Sequence, residues 1–367
     1  MKQIKFPLLS LIAVITSCSS NPQSVLAAAQ NKIQKTTGLN YNQIAFYPNP
    51  MGRIDTLTTS VFINKTKNNK VSYDFLIQSD NMVDEVCIGG EFKFVNHKDS
   101  VVKFFPVSKS DKEKSFIRNS RNVKYSPLTL LSQIHWKFKK DTLIDGSKCR
   151  DYYKIENDTI VNGNKIYTER HIFINTTSKL LQSFERRNYF KGKLNQTVIF
   201  KYSKFNLSNS KAELTYDFPS NYKSILFGKT NGRTLLKVGE KAPGFAYNDV
   251  QNKPFNLDNY HGKKVLLNFS IINCGYCKIA LNHFNQKDYQ FSNKLFGVYI
   301  NPIDEKEDVV DYVNEIRVPF PVLADAKQIG ELYGVEVYPT FFLIDENGII
   351  EKVILGYNKE FLESLKT

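Results

Sequence analysis

Two cysteines separated by Gly275-Tyr276 stand between an expected strand, Val265 to Ile272, and a helix-forming stretch, Lys278 to Phe284. No other feature constrains the fold of this chain as tightly. Thiols two residues apart at a strand-to-helix junction can close a disulfide without moving the backbone, and the helix N-terminus favours the thiolate of the first cysteine. Lowering a thiol pKa from about 8.5 to about 7 takes roughly 2 kcal/mol and raises the thiolate fraction at pH 7 from a few per cent to about half. The tetrapeptide therefore predicts a redox centre whose reactive thiolate is Cys274.

With 367 residues the chain is long enough for two or more domains, and 41% hydrophobic content with 13% aromatic residues is enough for real cores. Its start, Met1-Lys2-Gln3-Ile4-Lys5, then an apolar run from Phe6 to Ile15, then Thr16-Ser17-Cys18, reads as an export signal. Ile15-Thr16-Ser17-Cys18 resembles a bacterial lipobox, which implies that Cys18 becomes the first mature residue and carries a lipid anchor. The plain alternative is an ordinary cleaved signal. No other segment approaches the roughly 20 apolar residues of a membrane span, so a soluble body on a lipid tether is expected, facing the periplasm from the inner or the outer membrane.

Setting Cys18 aside leaves Cys87, Cys149, Cys274 and Cys277, an even number in an exported chain, where disulfides persist. One pair is the local CxxC. The other would be Cys87 with Cys149, contributing up to about 4 kcal/mol through its long loop; the alternative is two buried free thiols. Residues 1–235 carry 36 Lys and Arg against 18 Asp and Glu, a balance of +18, whereas 236–367 carry 14 against 18, a balance of −4. That asymmetry supports a domain boundary and suits either an anionic membrane surface or a solvated basic face. Nucleic acid is not an expected partner of an exported chain.

A helix-like stretch from Val25 to Lys35 is followed by short strands with turn signals between them, among them Thr58 to Asn64, Val71 to Gln78, Glu91 to Val95 and Val101 to Phe105. Asn162-Gly163-Asn164 and Asp145-Gly146 are hairpin signals, the second placing Cys149 in the strand that runs on to Ile155. Longer strands are expected from Thr168 to Asn175, Lys179 to Tyr189 and Gln196 to Leu207, with a helix-like Leu128 to Ile134 before them. This half is read as mainly antiparallel β, a curved sheet or half-barrel with a few helices. The order of its elements resembles LolA-like lipoprotein-carrier domains over residues 25–225, without a diagnostic motif.

Residues 221–237 read as a connector. Beyond it strands alternate with helices: Val265 to Ile272, the helix from Cys274, Phe296 to Ile300, Lys306 to Ile316, Pro321 to Leu323, Gln328 to Tyr333, Thr340 to Asp345 and Ile349 to Leu355, then a terminal helix. This half is read as α/β. Four segments, Gly239-Glu240-Lys241-Ala242-Pro243, Leu266-Leu267-Asn268-Phe269, Tyr338-Pro339-Thr340 and Phe342-Leu343-Ile344-Asp345 with Gly348, are similar in order and spacing to thioredoxin-like proteins of the TlpA and ResA type.

The resemblance covers about residues 236–367. It implies a thioredoxin fold in which Pro339 is cis and faces the cysteines, so that the backbone of Tyr338 can pair with a substrate strand. It also implies that Cys274 attacks a substrate disulfide and that Cys277, one turn into the helix, resolves the mixed disulfide. Gly275 and Tyr276, the residues between them, tune the potential, and Gly-Tyr is similar to periplasmic disulfide isomerases. Several positions depart from the family. Asn268 stands where thioredoxin has a buried acid, Ala280 where the ResA type adds a glutamate, and Ser270 and Asn273 where tryptophans are usual, so slower resolution by Cys277 is expected.

Other readings of CxxC are weaker. A structural zinc needs two more ligands, and His97, His135, His171, His261 and His283 are scattered. No metal or cofactor is expected. The peroxiredoxin motif is missing from Ser270 to Asn273. A carrier of lipid or lipoprotein, with the thioredoxin-like half as a docking module, is the alternative of a different class. The expected layout is a signal peptide at 1–17, a lipid-anchored tether at 18–24, a β-rich domain at 25–225, a linker at 226–237 and a thioredoxin-like domain at 238–367. The expected function is a membrane-anchored thiol-disulfide oxidoreductase that reduces or isomerises disulfides of envelope proteins, recharged by a membrane or periplasmic electron donor.

Overall fold

The computed structural model describes residues 21–49, 52–66, 72–106, 111–161, 164–226 and 234–366. The expected signal peptide, Cys18 and most of the expected linker lie outside them. Contacts divide the chain into two units, one holding residues up to Ala45, Leu57–Phe92 and Pro106–Asp217, the other Phe46–Thr56, Lys93–Phe105 and Phe218–Thr367.

Helix α1 (Pro22–Lys35) begins three residues before the expected start, because Asn21 caps it by accepting from the Gln23 N–H and Pro22 occupies the first turn. Its buried stripe is Val25, Leu26, Ala29 and Ile33. Twelve strands follow: β1 (Gly38–Pro48), β2 (Ile54–Lys65), β3 (Tyr73–Ser79), β4 (Val83–Ile88), β5 (Glu91–Asn96), β6 (Val101–Pro106), β7 (Lys137–Ile144), β8 (Ser147–Val161), β9 (Asn164–Asn175), β10 (Leu181–Phe190), β11 (Lys193–Ser208) and β12 (Lys223–Leu226). They form one sheet in the order β12-β6-β5-β4-β3-β2-β1-β11-β10-β9-β8-β7.

Pairing is antiparallel from β7 to β11 and from β2 to β4, while β12, in the expected connector, joins β6 in parallel. Between β6 and β7 lie α2 (Asp111–Asn119), α3 (Arg121–Lys124) and α4 (Pro127–Leu131), the last matching the start of the expected Leu128 helix. Tyr125 stacks on Phe184 at 4.8 Å between ring centroids, and the Trp136 indole donates to the Leu130 carbonyl at 3.2 Å. These aromatics cover the sheet face on which Tyr152, Ile172, Ile174 and Phe200 are buried. The β7–β8 turn bears out the Asp-Gly signal: Asp145 and Gly146 have φ of 47° and 77°, the left-handed region a tight hairpin turn demands.

Beyond β12 along the chain, a small hairpin, β13 (Ala246–Asn248) with β14 (Pro254–Asn256), precedes a five-stranded mixed sheet. Its elements are β15 (Lys264–Phe269), α5 (Gly275–Phe284), β16 (Leu295–Ile300), α6 (Lys306–Glu315), β17 (Val322–Leu323), α7 (Lys327–Leu332), β18 (Thr340–Ile344), β19 (Ile350–Leu355) and α8 (Lys359–Glu363). The strand order is β17-β16-β15-β18-β19, parallel from β15 to β17 and antiparallel at β18 and β19.

The central β15 is apolar on both faces, at Val265, Leu266, Leu267 and Phe269, because both its faces are covered. Leu266 shares a core with Leu281, Phe284, Val309, Tyr312 and Leu362, while Val265, Leu267 and Phe269 share the other with Ile329, Tyr333 and Phe342. This architecture delivers the end of β15 and the start of α5 to the same end of the sheet as the start of β18.

Candidate functional site

The site is built where β15 stops. Ser270 N–H donates to the Ile300 carbonyl at 3.0 Å, and the next residues leave the sheet. The Ile272 N–H donates to Asp304 Oδ2 at 2.9 Å, and Asn301 Nδ2 donates to the same oxygen at 2.8 Å. Asn301 Oδ1 in turn accepts from the Ile303 and Asp304 N–H groups. The loop that presents the cysteines is thus fastened to the turn after β16 by one carboxylate. Asp304 was not singled out from the sequence; its one signal is the Asn301-Pro302 turn that follows a parallel strand at its C-terminal end, where α/β sheets gather their functional loops.

Cys274 is the N-cap of α5, with φ −118° and ψ 112°. Its sulfur accepts from the Cys277 N–H at 3.1 Å, a donor a thiolate there would also use. Cys274 and Cys277 are joined as a disulfide with Cα atoms 5.2 Å apart. Cys277 is fully buried, whereas Cys274 is half-buried and Gly275 and Tyr276 are exposed, so an incoming substrate meets Cys274 first.

The start of β18 completes the site. The Tyr338-Pro339 peptide is cis, Pro339 is buried, and the Tyr338 carbonyl oxygen lies 3.6 Å from Cys274 Sγ. Thr340 Oγ1 donates to the Val337 carbonyl at 2.6 Å and the Gly356 N–H to the Pro339 carbonyl at 2.7 Å, which holds this segment against β19. Burial, with the nearby charges of Asp304 and Glu336 adding to it, pushes the Tyr338 phenol up to about 12. Cys274, Gly275, Tyr276, Cys277, Tyr338 and Pro339 therefore meet at one place.

Asn268 and Ala280 are both fully buried, Asn268 accepting from Ser270 Oγ at 2.6 Å and Ala280 packed in the core with Leu281 and Phe284. Neither can take a proton from Cys277.

The disulfide expected between Cys87 and Cys149 is absent: both are buried free thiols. Cys87 lies in β4 and Cys149 in β8, and β3, β2, β1, β11, β10 and β9 separate those strands in the sheet. Burial, with the charge of Asp74 adding, pushes the Cys87 thiol up to about 12, and burial pushes Cys149 up to about 11, so both are held in the unreactive protonated form. Cys18 lies outside the described residues.

The AhpC/TSA family model matches residues 238–353. Among curated proteins, the thiol-disulfide oxidoreductase ResA of Geobacillus thermodenitrificans is 31% identical over 36% of this chain and 81% of its own length. ResA of Bacillus thuringiensis is 35% identical over 35% of this chain and 76% of its own. Among solved structures, StoA of Bacillus subtilis is similar over 33% of this chain and 95% of its own, at 24% identity and a TM-score of 0.29. Because the chain spans more than three quarters of both ResA relatives at over 30% identity, it belongs to the thioredoxin-like thiol-disulfide oxidoreductases of the ResA type.

Proposed function

We propose that this oxidoreductase works on exported proteins of the bacterial envelope, held at the membrane by a lipid on Cys18, and that it reduces or isomerises their disulfides through Cys274 and Cys277. The observation that carries the reading is the asymmetry of the pair: Cys274 half-exposed at the start of α5, Cys277 fully buried one turn in, and the Tyr338 carbonyl beside the first sulfur.

In the reduced protein the Cys274 thiolate attacks one sulfur of a substrate disulfide. That S–S bond breaks, a Cys274–substrate disulfide forms, and the departing substrate thiolate takes a proton from solvent. Cys277, deprotonated, then attacks Cys274 Sγ, which closes the intramolecular disulfide and releases the second substrate thiol. Two electrons pass from the enzyme dithiol to the substrate, and a membrane or periplasmic dithiol donor must return them. If the freed substrate thiolate instead attacks another disulfide of its own chain before Cys277 acts, and the thiolate displaced there attacks the substrate sulfur bonded to Cys274, a new substrate disulfide forms and the Cys274 thiolate leaves unchanged; the outcome is isomerisation, and slow resolution favours it. The Tyr338 backbone is suited to pair with the extended substrate segment that carries the disulfide.

The expected layout, with a lipid-anchored tether before a β-rich domain at 25–225 and a thioredoxin-like domain from 238, is part of this proposal. Among the described residues no helix is long and apolar enough to cross a membrane. Insulin reduction and refolding of a scrambled disulfide protein test the chemistry: Cys274→Ser should abolish both, and Cys277→Ala should accumulate mixed disulfides with envelope proteins. Neither activity in the unaltered chain would instead indicate a carrier. Cys18→Ser should move the protein out of a membrane fraction washed with high salt, without changing insulin reduction.

A further inference from the structure

The two longest hairpins of the sheet, β8 with β9 and β10 with β11, end side by side. Ile166 of β9 lies opposite Thr159 of β8 and opposite Phe190 of β10, and Tyr189 lies opposite both Tyr167 and Leu194. At this shared end Ile160, Phe190 and Leu194 are 71%, 45% and 56% exposed. Single exposed apolar side chains are ordinary on a protein surface, but here three of them meet at the shared end of two hairpins.

Cross-strand partners share a sheet face and side chains alternate along a strand. Phe190 therefore lies on the same face as Ile166, while Leu194, Tyr189, Tyr167 and Ile160 lie on the opposite face. Each face of the tip thus exposes an apolar side chain among polar ones, Phe190 on one face and Leu194 and Ile160 on the other. A protein partner docked on one face would leave the other wet, whereas a medium that surrounds the tip would cover both.

The charges select the medium. Lys165, Lys191 and Lys193 are exposed around the apolar residues; of the acids nearby, Asp158 pairs with Lys165 at 2.9 Å and Glu169 is buried, accepting from the Tyr167 and Tyr189 hydroxyls. Lys191 Nζ stands 5.5 Å from the centre of the Phe190 ring. An aromatic with lysines beside it is the arrangement that settles at the boundary between headgroups and acyl chains, the ring inward and the lysine stems reaching back to phosphate. The balance of +18 over residues 1–235 acts in the same direction.

We propose that the paired ends of β8–β9 and β10–β11 insert into the headgroup region of an anionic phospholipid surface, with Phe190, Leu194 and Ile160 as the inserted side chains and Lys165, Lys191 and Lys193 as the phosphate contacts. This contact is separate from any lipid on Cys18 and is read at the tip itself.

The test uses the full chain carrying Phe190→Trp. The one native tryptophan, Trp136, is 5% exposed and hydrogen-bonded, so the unaltered chain supplies a steady baseline. With vesicles of mixed phosphatidylcholine and phosphatidylglycerol, the emission of the introduced indole should shift to the blue and be quenched by brominated acyl chains. Each lysine that reaches the surface adds about five-fold to the binding, so neutral phosphatidylcholine vesicles, added salt, or Lys165→Glu, Lys191→Glu and Lys193→Glu together should remove the quenching. Emission unchanged by mixed vesicles, or a response of equal size to neutral ones, would overturn the proposal. So would a shift that follows protein concentration without lipid, because a second copy of the chain would then be the occupant.

Discussion

Cys277 has to lose a proton before it can resolve a mixed disulfide, yet the two positions from which an acid would be expected to take it are Asn268 and Ala280, both fully buried and neither titratable. Asn268→Asp should put a base back. Burial raises the pKa of such a carboxyl above its unfolded value, so the folded state holds the extra proton. By linkage its penalty on stability is absent below the ordinary carboxylate range and grows as pH rises. We expect the variant to resolve about ten-fold faster or more at neutral pH and to be less stable at pH 8 than at pH 5. Single-turnover release of substrate thiol and urea unfolding at the two pH values check this; an unchanged resolution rate at every pH would show that proton removal is not limiting. Asp304 supports a second expectation. Asp304→Ala leaves the Ile272 N–H and the Asn301 amide without their acceptor, a loss of about 1–3 kcal/mol, whereas Asp304→Asn keeps an acceptor oxygen and should recover most of it in the same unfolding measurement. The cysteines were legible in the sequence because their meaning is local. Asp304 was not, because its partner lies 32 residues away and only the parallel pairing of β15 with β16 brings the two loops together.

The elements read most readily were those whose pattern is complete within one segment. The apolar run of β15 and the Asp145-Gly146 turn carry their own instructions, and the structure follows them. β1 was missed, since Asn40, Asn42 and Gln43 obscure its period of two, although Leu39, Tyr41, Gln43 and Ala45 are the buried set. Gln43 is tolerated there because its amide donates to Thr59 Oγ1 and Asn122 Oδ1. β12, four residues long, was read as connector because its ladder comes from β6 and not from any pattern of its own. The same logic undid the Cys87–Cys149 pairing: parity of cysteines says nothing about which strands are neighbours. A test at this level is Gly297 in β16, where an added Cβ would lie 2.2 Å from the Phe320 ring. Phe320 packs against Phe284 and Phe291, so it has little room to yield. Gly297→Ala should cost about 1–3 kcal/mol, as overpacking does, and Gly297→Ala with Phe320→Leu should recover part of it in thermal unfolding. A single substitution without effect would mean that the ring moves freely.

For the molecule as a whole, buried tyrosines on the alkaline side and a half-buried carboxylate on the acid side make stability depend on pH. On the alkaline side burial, with nearby carboxylates adding to it, pushes Tyr312 and Tyr338 up to about 12, and Tyr41, Tyr289, Tyr299 and Tyr333 are raised as well. A raised acid contributes stability that is intact below its unfolded value of about 10 and is lost as pH rises through its folded value. Ionisation of these six tyrosines should therefore accompany unfolding above pH about 10 and not precede it. On the acid side the relevant group is Glu156 in β8. Burial opposes its ionisation, but the Arg170 guanidinium and then Arg186, whose Nε is 2.6 Å away, outweigh burial and hold its carboxyl below the ordinary value. A depressed carboxylate contributes stability that is present above the unfolded pKa and is lost as pH falls through the folded one. Glu156→Gln should thus destabilise the protein by about 1–3 kcal/mol at pH 7, the worth of hydrogen bonds to charged groups. Below about pH 4.5, where the unfolded glutamate takes up its proton, the difference from the unaltered chain should shrink. Urea unfolding from pH 7 down to pH 3 measures both curves; a gap that stayed constant across that range would mean that the charge of Glu156 contributes nothing and that only its packing matters.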